Sequence, residues 1–354
     1  LRNQPQDGSP KLQGKVEIAR LSALADGKRI EWDVPLEALV SVHRDGEQFV
    51  FDRVTCRSDF LQADAKGTLT DATFQAKADL DRLHQNLSRF FDWGLVRLSG
   101  QLAASGQIQC SDGGELDLRV KGELTSFELQ RRGESPWREE RLEIVTASSA
   151  RISDSQQLRS VELASLRLIS GADRLDAKLT EPIAWSSNAR WRVIADVVGG
   201  LESWQARLRP VLTVEDWQVA GQFAAHAEVD SDSRVIDVTK LTIAIDQLQA
   251  RGPEWLIQEP KLSLETAGRW ETASSRWTAP QTVLTGTSVA ATVSNLDWSL
   301  DSANAGASGD ARFRVHLGNV SRWKVQAQQQ PSYFVTGEAT GSLRLQQRGA
   351  MTQA

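Results

Sequence analysis

The chain has 354 residues, 40% of them hydrophobic, which excludes disorder as its default state. Its 41 Lys plus Arg against 46 Asp plus Glu give a net charge of -5, which argues against a general nucleic-acid binder. No stretch reaches the roughly 18 uninterrupted apolar residues of a membrane-spanning helix, and no basic segment leads into an apolar one as in a secretory signal. The chain reads as soluble, and its opening on Leu1 instead of Met reads as a processed or excised piece whose anchor or address lies elsewhere.

In chain order, Glu31-Trp32 opens a first stretch, and a strand-like block runs from Phe49 to Phe60. The segment from Ala78 to Phe91 then places Leu80, Leu83, Leu87 and Phe90 at i, i+3, i+7 and i+10. This spacing predicts a short amphipathic helix, with Asp79 capping its first turn. A strand bearing Leu98 and Leu102 follows, reading Gly100-Gln-Leu-Ala-Ala-Ser-Gly-Gln-Ile108. Beyond the turn signal Asp112-Gly-Gly114, the period is two: Leu116, Leu118, Val120 and Leu124 share one face, and Asp117, Arg119, Lys121 and Glu123 the other.

A second stretch opens at Pro136-Trp137 and carries a strand from Val161 to Leu168. Leu201, Trp204 and Leu208 repeat the helical spacing until Pro210. The following strand, Gly221-Gln-Phe-Ala-Ala-His-Ala-Glu-Val229, lies 121 residues after its counterpart at Gly100 and matches it at four of nine positions. Alternation there puts Val219, Phe223, Ile243 and Ile245 on apolar faces. A third stretch opens at Glu254-Trp255, carries a strand block from Val283 to Leu296, and repeats the helix with Leu317, Val320 and Trp323. Its glycine, Gly337, falls 116 residues after Gly221, and Phe313, Val315, Leu343 and Leu345 alternate with polar residues. Turn signals at Asp45-Gly46 and Asp230-Ser-Asp-Ser233 separate the alternating runs, and the low-complexity segments 302–309 and 326–330 read as loops.

One oily and one wet face mark an antiparallel sheet, since parallel sheets are covered on both sides. The expected fold is mainly β: a long curled antiparallel sheet with short amphipathic helices, built from about three repeats at 1–125, 126–250 and 251–354.

Several chemistries find no support. Cys56 and Cys110 are the only cysteines, so neither a disulfide-dense scaffold nor a thiolate zinc site can form; one disulfide or two buried small apolar side chains remain as readings. The histidines at 43, 84, 226 and 316 have no metal-binding spacing. The acid pairs Asp79/Asp81 and Glu139/Glu140 cannot converge, because such neighbours diverge, and they read as solvated surface. With no phosphate loop or nucleophile elbow either, the expectation is a non-enzyme with no cofactor and no metal. The twelve Trp are spread through the chain and read as packing residues, not as a carbohydrate platform. Arg131, Arg132, Arg138 and Arg141 surround Pro136-Trp137 together with Glu128, Glu134, Glu139 and Glu140, which reads as a mixed surface loop in preference to a lipid-headgroup contact.

The helix beginning Ala78-Asp-Leu-Asp-Arg-Leu83, the strand Leu98-Ser-Gly-Gln-Leu-Ala-Ala-Ser-Gly106 and the strand from Gly114 to Leu124 resemble the AsmA-like family, the group containing AsmA, TamB and YhdP. The resemblance is one of pattern over nearly the whole chain and carries no catalytic residues. It implies a sheet curled into an open apolar groove that moves phospholipid between the membranes of diderm bacteria. It also implies a periplasmic location, with anchoring to the inner membrane through regions not in this chain. The groove lining it implies is Leu98, Leu102, Leu116, Leu118, Val120, Leu124, Val219, Phe223, Ile243, Ile245, Phe313, Val315, Leu343 and Leu345. An acyl chain of about sixteen carbons costs on the order of 13 kcal/mol to expose to water, and such a lining offsets that cost along its whole length. At roughly six strands per unit and about 4.8 Å per strand, three units predict a trough of roughly 90 Å before twist shortens it. The competing reading is a rigid stalk or adhesin-like scaffold whose apolar face is sealed by a second sheet.

Overall fold

The alternating runs become strands and the three short helical patterns become helices in the computed structural model of the protein. It describes residues 11–348 except 20, 26–27, 33–34, 47, 69, 89–95, 112, 132, 134, 154–156, 186–189, 210–216, 233, 300–305 and 324–334. The side chains at 21–32, 345, 347 and 348 also lie outside the description. Among the described residues, nineteen strands belong to one open antiparallel sheet, and two more form a separate hairpin. The chain divides into two compact units, Leu1–Gly171 and Ala172–Ala354. Among the described residues no helix is long and apolar enough to cross a membrane.

The first unit begins with β1 (Lys11–Ile18), followed by the separate hairpin of β2 (Leu21–Ala25) and β3 (Lys28–Trp32). Then come β4 (Leu36–Asp45), β5 (Gln48–Arg57), β6 (Leu61–Thr68), β7 (Asp71–Asp79), α1 (Leu80–Leu87), β8 (Val96–Cys110), β9 (Glu115–Arg131), β10 (Trp137–Ile152) and β11 (Leu158–Ser170). Apart from the hairpin, each strand pairs antiparallel with the next, from β1 and β4 through to β10 and β11. Asp79 caps α1 as its position predicts, accepting from the Arg82 N–H at 3.0 Å. The N–H bond holds the Asp79 carboxyl below its ordinary pKa. Phe90 and Phe91, assigned to the same helix by pattern, lie outside the described residues.

The second unit contains β12 (Asp173–Leu179), the short β13 (Ile183–Ala184), β14 (Trp191–Gly200), α2 (Leu201–Leu208), β15 (Gln218–Ser231), β16 (Val235–Arg251), β17 (Leu256–Glu271), β18 (Arg276–Gly286), β19 (Val289–Ser299), β20 (Gly306–His316), α3 (Leu317–Val320) and β21 (Glu338–Arg348). Apart from β13, pairing is again sequential, from β12 with β14 to β20 with β21. Within the turn signal Asp230–Ser233, Asp232 Oδ1 accepts from Arg234 and Val235 N–H at 2.7 and 2.9 Å, and Ser233 lies outside the described residues.

In three places a strand runs straight into a helix, and the next strand returns to pair with the first: β7–α1–β8, β14–α2–β15 and β20–α3–β21. After each helix stands the glycine aligned by sequence, and Gly100, Gly221 and Gly337 all have positive φ, at 118°, 134° and 111°. Gly100 and Gly221 sit at bulges. Opposite them lie Ser126 and Gln247, both in the left-handed region at φ 49° and 55°. A methyl on Gly100 would fall 2.9 Å from the backbone of Thr125, Ser126 and Phe127, so no other residue fits without moving β9.

Candidate functional site

Cross-strand register gathers the apolar residues of each unit onto one face. In the first unit a row runs Leu12, Val42, Phe51, Gly67, Ala72, Ile108, Leu118 across seven strands. The next row runs Gly14, Val40, Val54, Ala65, Phe74, Gly106, Val120, and a third runs Val16, Ala38, Cys56, Ala63, Ala76, Ala104, Gly122, Ile144, Leu168. Leu102, Leu124 and Leu142 continue the face toward α1, and Cys110, Leu116 and Ala150 extend it the other way. The opposite face carries rows such as Lys66, Thr73, Gln107, Arg119.

The second unit repeats the arrangement. Its central row is Leu175, Val197, Ala225, Ile243, Leu264, Leu284, Ala291, Phe313, Gly341, one residue from each of nine strands. Phe223, Ile245 and Leu262 lie on one side of it, and Ala227, Leu241, Thr266, Thr282, Val293, Ala311 and Leu343 on the other. Thr266 and Thr282 bond each other at 2.8 Å, which satisfies the two hydroxyls placed within an apolar row. The far face carries the charges: Arg269 bonds Asp237 at 2.7 Å, Arg344 bonds Asp310 at 2.8 Å, and His226 Nδ1 lies 2.8 Å from Asp196. Hydrogen bonds donated to the Asp196 and then the Glu228 carboxylate raise the His226 pKa. These pairs are largely solvent-exposed, so water and salt screen them and they add little stability. Their main effect is to keep that face wet.

The apolar faces are half-buried, not sealed. Among the described residues the large buried apolar side chains, Phe60, Leu80, Phe127 and Leu142, all belong to the first unit. In the second unit the buried apolar residues are Ala250 and Ala279 alone among those described. The central rows of both units remain accessible, and Leu12, Val16 and Leu343 are 64%, 59% and 49% exposed. Two sheets packed face to face would bury such rows completely. Small residues keep the face shallow where aromatic rings fold across it: a methyl on Gly106 would fall 2.5 Å from the Phe74 ring, and one on Gly341 2.6 Å from Phe313.

Each expected lining residue can be placed. Leu102, Leu116, Leu118, Val120 and Leu124 share the first unit's apolar face, while Leu98 pairs with Leu129 beyond the bulge. In the second unit Phe223, Ile243, Ile245, Phe313 and Leu343 share one face, Val219 pairs with Ala250, and Val315 with Val289. Leu345 pairs with Gly309, and its side chain lies outside the description.

Other expectations change. Glu139 is buried, not solvated: its carboxylate accepts from Trp137 Nε1 at 2.7 Å and from the Ser170 hydroxyl. The strand sends adjacent Glu139 and Glu140 to opposite sides, so only Glu140 is exposed. Asp79 is taken up by its cap, and Asp81 lies 3.5 Å from Arg97. Cys56 and Cys110 are free thiols. Arg138 pairs with Glu128 at 2.8 Å and Arg141 with Glu143 and Glu123 at 2.8 and 3.0 Å, as in a mixed surface; Arg132 and Glu134 lie outside the described residues.

Tryptophan divides in a way composition does not reveal. Trp137 packs edge-on against Phe127 at 5.0 Å and Trp204 against Phe223 at 6.1 Å, whereas Trp185, Trp255 and Trp298 are exposed. Trp93 and the side chain of Trp32 lie outside the description. Trp270, Trp277 and Trp298 form one cross-strand row that the sequence reading missed. Its signal was available: Trp270 and Trp277 stand symmetrically about one hairpin turn, and Trp277 and Trp298 about the next, so in-register pairing brings all three together.

Comparison with protein-family models, curated proteins and solved structures finds no match to this chain.

Proposed function

We propose that the chain is part of an AsmA-like protein that binds phospholipid acyl chains on its apolar sheet faces and conducts them between membranes. One observation carries this reading: in each unit a face of aliphatic and small residues crosses successive strands and stays accessible to a hydrocarbon chain. Nine strands at about 4.8 Å span roughly 38 Å, longer than the roughly 30 Å hydrocarbon core of a bilayer. At about 25 cal/mol per Å2, such surface lowers the cost of holding an acyl chain out of a membrane without any specific binding residue. The protein would act without chemistry on the lipid, in the periplasm, attached to the inner membrane through regions outside this chain.

Native mass spectrometry of the purified protein tests the reading. Adducts with masses of diacyl phospholipids, retained through size exclusion and removed by detergent, are expected. A protein that carries no lipid and takes up none from mixed micelles would be a structural or adhesin-like scaffold instead.

A further inference from the structure

The second unit's apolar face has two dissimilar ends. At one, β14 and β20 run into α2 and α3. At the other, register aligns Trp191, Ser231, Ile236, Trp270, Trp277, Trp298 and Ala307 in a single row across seven strands. Bulges in β16 and β18 and a left-handed Asn295 in β19, φ 54°, keep these side chains on the apolar side although residue parity changes along each strand. Trp298 is 46% exposed, and the indole of Trp277 crosses toward β17, where a methyl on Gly268 would fall 2.5 Å from it.

Indole is mostly apolar, with one N–H donor at its edge, and it is favoured where hydrocarbon gives way to polar, wet groups. The row stands at such a boundary. Inward lie Val229, Val238 and Gly268, and outward lie Asp232, Arg234 and the hairpin turn at 272–275. The one hydroxyl in the row, on Ser231, is buried and already donates to the main-chain oxygens of Asp232 and Val235. A sugar site would need polar side chains free to bond hydroxyls in the same plane, and this row supplies only indole edges.

Resting on the lipid-binding reading, we infer that the row of Trp191, Trp270, Trp277 and Trp298 holds the glycerol-ester segment of a bound diacyl lipid. The acyl chains then extend from that end along the face toward α2 and α3. Lipid would therefore lie on this unit in one orientation.

The test is tryptophan quenching in the intact chain by phosphatidylcholine brominated near the ester end of one acyl chain or near its methyl end. Each lipid is offered below its micelle-forming concentration, with unlabelled lipid as reference. Ester-end bromine is expected to quench at least twofold more than methyl-end bromine. The excess should disappear in W191F/W270F/W277F/W298F, a variant that keeps an aromatic ring at every position. Equal quenching by both lipids, or an excess that survives the variant, overturns the inference while leaving lipid binding in place. No binding of either lipid, judged by native mass spectrometry, removes the lipid-binding reading itself. Quenching seen with brominated vesicles but not with monomeric lipid would assign the row to a membrane surface, and an emission shift with a soluble oligosaccharide but not with lipid would assign it to sugar; either overturns the inference.

Discussion

Replacing Asp173 by Ala should destabilise the second unit by about 3–5 kcal/mol, the range for breaking one partner from a buried ion pair. Asp173 lies at the start of β12 and reaches the first turn of α2, whose N-cap, Gly200, has no side chain to close it. Its carboxylate accepts from the Gly200 N–H at 2.8 Å and from Arg207 at 2.8 Å, and the two charged side chains are only 11% and 10% exposed. Burial opposes ionisation of Asp173, but bonds from Ser203, the Gly200 N–H and Arg207 outweigh it, so its pKa falls below the ordinary aspartate value. Removing the carboxylate takes its acceptor from the half-buried Gly200 N–H and takes from Arg207 the carboxylate 2.8 Å away. Arg207 also lies 4.9 Å from the ring of Trp204, one of twelve indoles, so urea unfolding is followed by far-UV circular dichroism with indole emission as a second probe. Because the folded-state pKa is lowered, the contribution is present above the unfolded value near 4 and is lost as pH falls through the folded one. The wild-type advantage over Asp173→Ala should therefore shrink on acidification and hold at neutral pH. Asp173→Ala/Arg207→Ala should cost less than the sum of the single changes. A loss below about 1 kcal/mol for Asp173→Ala, or strict additivity, would refute the account of α2 as held by a desolvated pair.

Gly100→Ala and Gly221→Ala should each cost about 1–3 kcal/mol in denaturant titrations, because both residues have φ beyond 110° and would drive a methyl into the facing backbone. Gly14→Ala, where a methyl meets nothing within 4 Å, should be close to neutral. Ile243→Glu, in the centre of the second unit's apolar row, should leave far-UV circular dichroism unchanged and reduce phospholipid retention in native mass spectrometry about tenfold or more, from the roughly 1.5–3 kcal/mol of apolar contact removed. Retention equal to wild type would count against that face as the lipid site. His226 should titrate above 6.5 by NMR, with Asp196→Asn moving the midpoint down. Whatever stability the His226 pairing adds is complete below the unfolded pKa and is lost as pH rises through the folded one.

The sequence alone determined that the chain is a sheet with one oily face and one wet face. Alternation in Leu116–Leu124 or Arg312–Leu317 is a local property, fixed by the two-residue repeat of an extended backbone. The caps and turns at Asp79 and Asp232 were legible for the same reason, since the groups they bond lie within three residues. Tertiary structure decided which residues meet across strands and how far they are covered. Register depends on bulges such as those at Gly100 and Gly221, whose parity change cannot be read from one strand. Only pairing therefore revealed that the row of Trp270, Trp277 and Trp298 lies on the same side as the apolar rows, or that Glu139 turns inward to Trp137 and Ser170. Whether an apolar face is sealed or open depends on what lies roughly 10 Å above it, and nothing in the spacing of apolar residues along a strand records that distance.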